Sequence, residues 1–147
     1  VPPGGRGLGE FIEDFSGVVD GTGFPGGVRN YLETAYRTTT ATSYGAGRYR
    51  QQTDPAVLAG GGLVLEYRTA QDSRVRSDHA ALDGEQWAPD DPQVSLIYPP
   101  NGFNCRCVCA LVEAESAQRT VSGDQVSAAI QDGFRGAPGD VIEREAA

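Results

Sequence analysis

The segment Leu63–Cys109 constrains the fold of this chain most strongly, because it joins one strand-like run to a long stretch that is poor in apolar residues. Leu63–Arg68 is mostly apolar and follows three successive glycines, which is typical of a β-strand that begins after a turn. The polar stretch after it contains several arginines and aspartates and the single histidine, His79. Such a stretch cannot fold by apolar burial alone, so we expect polar contacts to hold it.

Three other segments have the apolar spacing of amphipathic helices. The longest covers residues 28 to 52, where Gly45 and Gly47 indicate close packing against another element or a bend, since glycine disfavours helix. A short amphipathic piece is expected at Glu10–Phe15. Another short helix should begin at Ser122, the first residue of a capping-box sequence.

Two further strands are expected at Val94–Tyr98 and Asn104–Val112, and the second should pair with Leu63–Arg68. Between Leu63–Arg68 and Val94–Tyr98 the sequence predicts one helical turn at Asp78–Leu82 and a polar loop over residues 87 to 92. The chain is therefore expected to be an α+β protein. A small antiparallel sheet would pack with a long N-terminal helix and several short ones.

Glycine and proline divide the chain into three parts. We expect a flexible Gly/Pro-rich arm over residues 1–27, a domain over residues 28–112, and an acidic segment with a short helix over residues 113–147. The 147 residues suffice for one modest core. Because the chain begins with valine and contains no methionine, we interpret it as a processed product or a fragment.

Charge and composition disfavour several classes of function. The net charge is −8, the acidic excess lies mainly in the two flanks, and no basic patch is visible, so nonspecific DNA binding is not expected. The longest apolar runs are too short to cross a membrane, so we expect no membrane partner and synthesis in the cytoplasm. The odd number of cysteines, 3, favours a reducing compartment.

The central segment resembles the phage Mu F-like family of minor head, or head morphogenesis, proteins. The resemblance covers roughly residues 30–110, and Ser77 departs from it because the family usually has proline there. The matching residues occur in the order of the family motif: Thr69, Asp72, Arg74, Val75, Arg76, His79, Leu82, Asp83, Gly84, Pro99, Pro100, Asn101, Gly102, Cys105, Arg106 and Cys107.

The resemblance implies a minor capsid protein of a tailed phage or phage-like particle, acting in head assembly or DNA delivery. Its implied partners are the portal protein, the major capsid protein or both, and its implied place is the capsid interior or the portal vertex of the virion. It implies neither an enzyme nor a cofactor. The family domain is also grouped with the ADP-ribosyltransferase fold, so a catalytically silent relative of that fold is a further expectation.

The motif residues are expected to have a structural role. Arg74 and Arg76 lie close in sequence to Asp72 and Asp83, and guanidinium groups readily form paired hydrogen bonds with carboxylates. A contact surface for a partner is the alternative. The structural set consists of Asp72, Arg74, Arg76, His79, Asp83, Gly84, Pro100, Gly102, Cys105, Arg106 and Cys107.

A metal site is a second interpretation of part of this set. Zinc accepts three cysteines and one histidine, which here would be His79, Cys105, Cys107 and Cys109. We do not expect it, because structural zinc sites usually use a wider cysteine spacing, and cysteines two apart on a regular strand strain a tetrahedral site. A hydrogen-bonded structural histidine is the favoured interpretation.

An ADP-ribosyltransferase-type enzyme or toxin domain is the alternative function. Arg68 on the first strand and the pair Glu113 and Glu115 after a late strand resemble the arginine and the two glutamates of that class. The chain has no clear Ser-Thr-Ser strand to accompany them. We therefore expect no catalytic residues.

Overall fold

The computed structural model describes residues 7–19, 27–114 and 120–138. The chain divides into two units, Val1–Thr40 and Ala41–Ala147, which are described separately below. The elements in chain order are α1 (Leu8–Val19), α2 (Gly27–Gln52), α3 (Pro55–Leu58), β1 (Leu63–Arg68), α4 (Ser77–Ala80), β2 (Gln86–Trp87), α5 (Val94–Ile97), β3 (Val108–Glu113) and α6 (Gly123–Ala128).

The first unit contains α1 and the first half of α2. The ring of Phe11 lies 4.9 Å from that of Phe15 and 5.4 Å from that of Tyr36, measured between centroids. Ile12 and Leu32 are buried beside them. Helix α1 is twice as long as the expected Glu10–Phe15 piece. The rest of the expected arm, residues 1–6 and 20–26, lies outside the described residues.

Helix α2 confirms the predicted long helix. Gly45 and Gly47 of α2 differ in their surroundings. A Cβ atom on Gly45 would lie 2.5 Å from the carbonyl oxygen of Pro99, whereas a Cβ on Gly47 would meet nothing within 4 Å. The expectation of close packing is confirmed at Gly45 only. Helix α3 follows α2 in a segment where no helix was expected from the sequence. The Asp54 side chain caps α3 by accepting a hydrogen bond from the Ala56 N–H.

A three-stranded antiparallel sheet forms the centre of the second unit, in the order β2-β1-β3. The predicted antiparallel pairing of Leu63–Arg68 with the Asn104–Val112 segment is confirmed by β1 and β3, with Leu65 opposite Leu111 and Tyr67 opposite Cys109. The third strand begins at Val108, however, and not at Asn104 as expected. The short strand β2 was also not expected, since Trp87 had been interpreted as the first residue of a loop.

The expectation of a strand at Val94–Tyr98 is wrong, because this segment forms α5 and its C-cap. Asp91 starts the turn by accepting a hydrogen bond from the Gln93 N–H with its side chain and one from the Val94 N–H with its carbonyl. Val94 and Ile97 are buried whereas Leu96 is 43% exposed, which is helical and not alternating spacing. Local capping therefore determines the structure of this short apolar run.

The core of the second unit packs the sheet against α5, α6 and the turns around them. Its buried members are Leu65, Tyr67, Leu82, Trp87, Val94, Ile97, Tyr98, Cys109, Val121, Val126, Ala129 and Ile130. The capping box at Ser122 is confirmed, because Ser122 and Gln125 exchange side-chain to backbone hydrogen bonds at the start of α6. Among the described helices, none has the length and apolar character needed to span a bilayer.

Candidate functional site

The polar stretch after β1 is held in place by Asp83. Its carboxylate accepts hydrogen bonds from the backbone N–H and the hydroxyl of Thr69, at 2.7 and 2.9 Å, and from the side-chain amide of Gln71 at 2.9 Å. Burial opposes ionisation of Asp83, but these donors outweigh it and lower its pKa. Gly84 completes the turn at φ +81, a conformation that favours glycine. The carboxylate therefore closes the loop on itself.

Helix α4 presents His79 to two cysteines. It begins at Ser77, a first helical position where proline is also favoured, so the departure at Ser77 is compatible with the same turn. His79 is 2% exposed, and its Nδ1 atom lies 3.7 Å from the Sγ of Cys105 and 3.5 Å from the Sγ of Cys107. The zinc set considered from the sequence contains all three residues, but their spacing along the chain did not reveal this contact.

The two cysteines precede β3, and they do not alternate along it. The Cys105 N–H donates to the Gly102 carbonyl, and Asn104 adopts a φ of 55, so the chain turns sharply just before the cysteines. Cys109 lies on β3 and its side chain is buried in the core. Of the three cysteines, only Cys109 therefore lies on the strand that was expected to begin at Asn104.

A contact between the thiols of Cys105 and Cys107 shifts their pKa values in opposite directions. A hydrogen bond from Cys107, followed in size by one from His79, lowers the pKa of Cys105 to about 4 against the opposing effect of burial. The same contact with Cys105, together with burial, raises the pKa of Cys107. Burial raises the pKa of Cys109 to about 12. Of the three thiols, Cys105 is therefore the one whose ionised form its neighbours favour.

Arg76 connects the histidine to the turn that precedes the cysteines. One guanidinium nitrogen, Nη1, donates to the Phe103 carbonyl at 3.1 Å, and Nη2 lies 3.2 Å from Nε2 of His79. A Cβ atom on Gly102 would lie 2.7 Å from this Nη2, so glycine provides the space for the guanidinium. Among the described residues, the buried Nε of Arg76 has no hydrogen-bond partner.

The expected pairing of Arg74 and Arg76 with Asp72 and Asp83 is largely replaced by other contacts. Asp72 pairs through both oxygens with Arg106, at 2.7 and 2.6 Å, and this pair lowers the pKa of Asp72 well below its usual range. Arg74 lies 3.7 Å from Asp72 with a 79% exposed side chain. Neither arginine pairs with Asp83 within the described contacts. The ion pairs lie at the surface, where such pairs contribute little to stability.

The Pro-Pro-Asn-Gly turn lies between α2 and the sheet. The peptide bond between Pro99 and Pro100 is cis, and the Asn101 side chain is completely buried. The Asn101 amide donates to the Ile97 carbonyl at 2.7 Å and to the Tyr67 hydroxyl at 3.2 Å. Asn101 thus anchors the turn, a role that the sequence pattern did not distinguish from that of its neighbours.

Three other polar residues hold the site, and sequence reasoning missed all of them. Gln52 is buried at the end of α2, donates to the Cys109 carbonyl at 3.2 Å and accepts from the Tyr98 hydroxyl. Glu85 accepts from the Thr120 N–H at 2.7 Å, and Gln131 accepts from the Phe103 N–H at 2.9 Å. Each partner is distant in sequence, so no local pattern points to these contacts.

The residues considered for ADP-ribosyl transfer do not come together in the described part of the chain. Arg68 lies opposite Val108 at one end of the β1 and β3 pair, and Glu113 lies opposite Leu63 at the other. Five residues of strand separate these ends, which is about 16 Å. Arg68 instead donates to Glu66 at 2.7 Å. Glu115 lies outside the described residues.

A groove of about 260 Å³ runs beside β3, an edge strand of the sheet. We name it the β3 groove. Its residues include Tyr44, Gly45, Arg48, Tyr98, Pro99 and Val108. Tyr44 is 63% exposed and Val108 is 46% exposed, so large apolar surfaces face solvent at its rim. Such exposed apolar surface beside the edge strand of a sheet is typical of a protein contact site.

The comparisons identify the family. The chain matches the family described as "Phage Mu protein F like protein" over residues 9–110, which is more than half of its length. The chain therefore belongs to the Phage Mu F-like family. The match begins closer to the N-terminus than the resemblance suggested and includes α1.

Two relatives come from a phage and a prophage. The chain is 42% identical over 88 residues to the "Putative capsid assembly protein F" of Escherichia phage Mu, covering 60% of this chain and 19% of that protein. It is 40% identical over 76 residues to the "Mu-like prophage FluMu F protein" of Haemophilus influenzae, covering 52% of this chain and 18% of that protein. The chain thus spans about a fifth of these relatives. No solved structure matches it significantly.

Proposed function

We propose that this chain is the assembly domain of a minor capsid protein of a tailed phage or phage-like particle. The observation that carries the proposal is the similarity over 88 residues to a protein named for capsid assembly, together with the family match over residues 9–110, which includes β1 and the His79 turn. The domain would act in the virion, at the portal vertex or inside the capsid, in head assembly or DNA delivery.

The proposed partner is the portal protein or the major capsid protein, and the proposed contact surface is the β3 groove. An edge strand offers unpaired backbone groups to which an extended segment of a partner can add. The exposed ring of Tyr44 and the side chain of Val108 provide the apolar anchors on either side of it. A net charge of −8 disfavours DNA as the direct partner.

Binding without catalysis is the proposed mode of action. The separation of Arg68 from Glu113 supports this. The two side chains lie at opposite ends of a strand pair and therefore do not form one compact site for a nicotinamide group. An assay of nicotinamide release from NAD should therefore give no turnover above background. Turnover that disappears in Glu115→Ala would replace the assembly proposal with the enzymatic one.

The contact surface is tested by binding to purified portal protein and, separately, to purified major capsid protein. We expect Tyr44→Asp and Val108→Asp to weaken binding to one of them at least about tenfold, a loss typical of an interface anchor. The matched control is Val57→Asp, because Val57 is 42% exposed on α3, outside the groove. Binding of the groove variants equal to that of the control would refute this surface.

A further inference from the structure

The side chains of His79, Cys105 and Cys107 form a compact donor set. One potential ligand atom from each lies within 4.8 Å of the others. In a tetrahedral zinc site, with Zn–S near 2.3 Å and Zn–N near 2.05 Å, nitrogen and sulfur ligands are about 3.6 Å apart. The two distances from His79 Nδ1 to sulfur are 3.7 and 3.5 Å. The spacing therefore fits a metal ion held by all three atoms.

A hydrogen bond from His79 Nδ1 accounts for only one of its two sulfur contacts. Nδ1 of a histidine carries at most one proton, yet two sulfur atoms approach it at nearly equal distances. One N–H group points well at only one of them. A cation between the three atoms would contact all of them at once, and it would also allow two neighbouring thiolates to coexist.

The surroundings hold the donor atoms in place and leave a fourth position open. His79 and Cys105 are 2% and 8% exposed, and they are fixed by α4 on one side and by the turn after Gly102 on the other. A cavity of about 20 Å³ adjoins all three residues. That volume accommodates about one water molecule. Three protein ligands with water in the fourth place is an established form of zinc coordination.

We propose that His79, Cys105 and Cys107 bind one zinc ion, with a water molecule in the adjoining cavity as the fourth ligand. Zinc suits this set because it accepts imidazole nitrogen and thiolate sulfur together. The ion would join the loop after β1 to the segment that leads into β3. Both stretches have little apolar surface of their own, so a metal crosslink would stabilise them.

Binding at Nδ1 has a consequence for Arg76. The ring proton of His79 must then reside on Nε2, which can no longer accept a hydrogen bond from Arg76 Nη2, now 3.2 Å away. The guanidinium would turn from the ring and keep its bond to the Phe103 carbonyl. The buried Nε of Arg76 has no hydrogen-bond partner among the described residues, so the present position of the guanidinium leaves one of its donors unused.

The first test uses the unmodified chain and needs no variant. Protein purified without chelators should contain about one zinc per chain, consistent with one set of three ligands. Anaerobic titration of the metal-free protein with cobalt(II) chloride should produce a thiolate-to-cobalt charge-transfer band and the visible bands of tetrahedral cobalt, both saturating at one equivalent. A folded chain that holds no zinc and shows no charge-transfer band with cobalt would overturn the proposal.

The second test assigns the ligands. His79→Ala, Cys105→Ser and Cys107→Ser should each lower zinc affinity by more than about tenfold, since even changes outside the direct ligands cost that much. Cys109→Ala is the matched control, because Cys109 is a buried cysteine of β3 outside the donor set, and it should bind zinc like the parent. Zinc affinity lost in Cys109→Ala but retained in the other three would overturn the assignment.

Discussion

The side-chain amide of Asn101 donates a hydrogen bond to the hydroxyl of Tyr67 over 3.2 Å, and both side chains are completely buried. Tyr67 lies on the central strand, so this contact joins the Pro-Pro-Asn-Gly turn directly to the middle of the sheet. The turn carries Gly102, beside Arg76, and leads to the two cysteines. A buried polar contact therefore ties the turn that leads to the candidate site to the central strand.

Removing the Asn101 amide should destabilise the domain. Asn101→Ala leaves the Tyr67 hydroxyl and the Ile97 carbonyl without their donor, at a cost of about 2–4 kcal/mol. Tyr67→Phe removes one partner only and should cost about 1 kcal/mol. Urea unfolding of both variants and of the double variant gives the coupling energy. Strictly additive losses would show that the two side chains do not interact.

Replacing Gly45 or Gly47 of α2 with alanine should change the melting temperature in opposite directions. Gly45→Ala places a methyl group against the Pro99 backbone carbonyl, which cannot move cheaply, so the melting temperature should fall. Gly47→Ala adds a methyl group in open space, and the better helix propensity should stabilise the chain by about 1 kcal/mol. Thermal unfolding followed by circular dichroism measures both. Equal shifts would mean that Gly45 does not contact the turn.

The Asp72–Arg106 pair should contribute to stability in a pH-dependent way. Since the pair lowers the folded-state pKa of Asp72, its contribution is present above the unfolded pKa, near 3.9, and is lost as the pH falls through the folded value. The difference in melting temperature between the parent and Arg106→Ala should therefore shrink in acid. Arg74→Ala serves as control and should change little at any pH, because its side chain is 79% exposed. A difference that grows in acid would contradict the pairing.

Asp83 should matter more than an aspartate at the open surface. Asp83→Ala removes the acceptor for two groups of Thr69 and for Gln71, and should cost about 2 kcal/mol in the free energy of unfolding. The exposed Asp90 provides the comparison, and Asp90→Ala should stay within about 0.5 kcal/mol of the parent. Chemical denaturation at neutral pH distinguishes the two. Equal stability of both variants would show that the Asp83 hydrogen bonds do not stabilise the loop.

Local signals predicted the elements whose structure is determined locally. The spacing of α2, the glycine-bounded run of β1 and the capping box at Ser122 depend only on neighbouring residues, and all three are confirmed. The four-residue run of α5 was ambiguous, since a short apolar stretch fits a strand or a helical turn equally well. There the turn at Asp91, whose side chain accepts a hydrogen bond from the Gln93 N–H, leads the chain into the helical turn.

Contacts between distant residues could not be predicted. The resemblance selected His79, Cys105 and Cys107 as one motif, but their approach depends on the turn after Gly102, which sequence spacing does not reveal. The objection to zinc assumed that residues 104 to 112 form a regular strand. Since β3 begins at Val108, that objection does not apply to the geometry found here.

The role in head assembly is tested most directly by deleting the codons for residues 28–112 from the gene that encodes this chain. Complete heads in induced lysates would then be counted by electron microscopy. The proposed function predicts that complete heads are lost, and that they return when the undeleted gene is supplied separately. Complete heads at the parental number, without that second gene, would contradict the proposal.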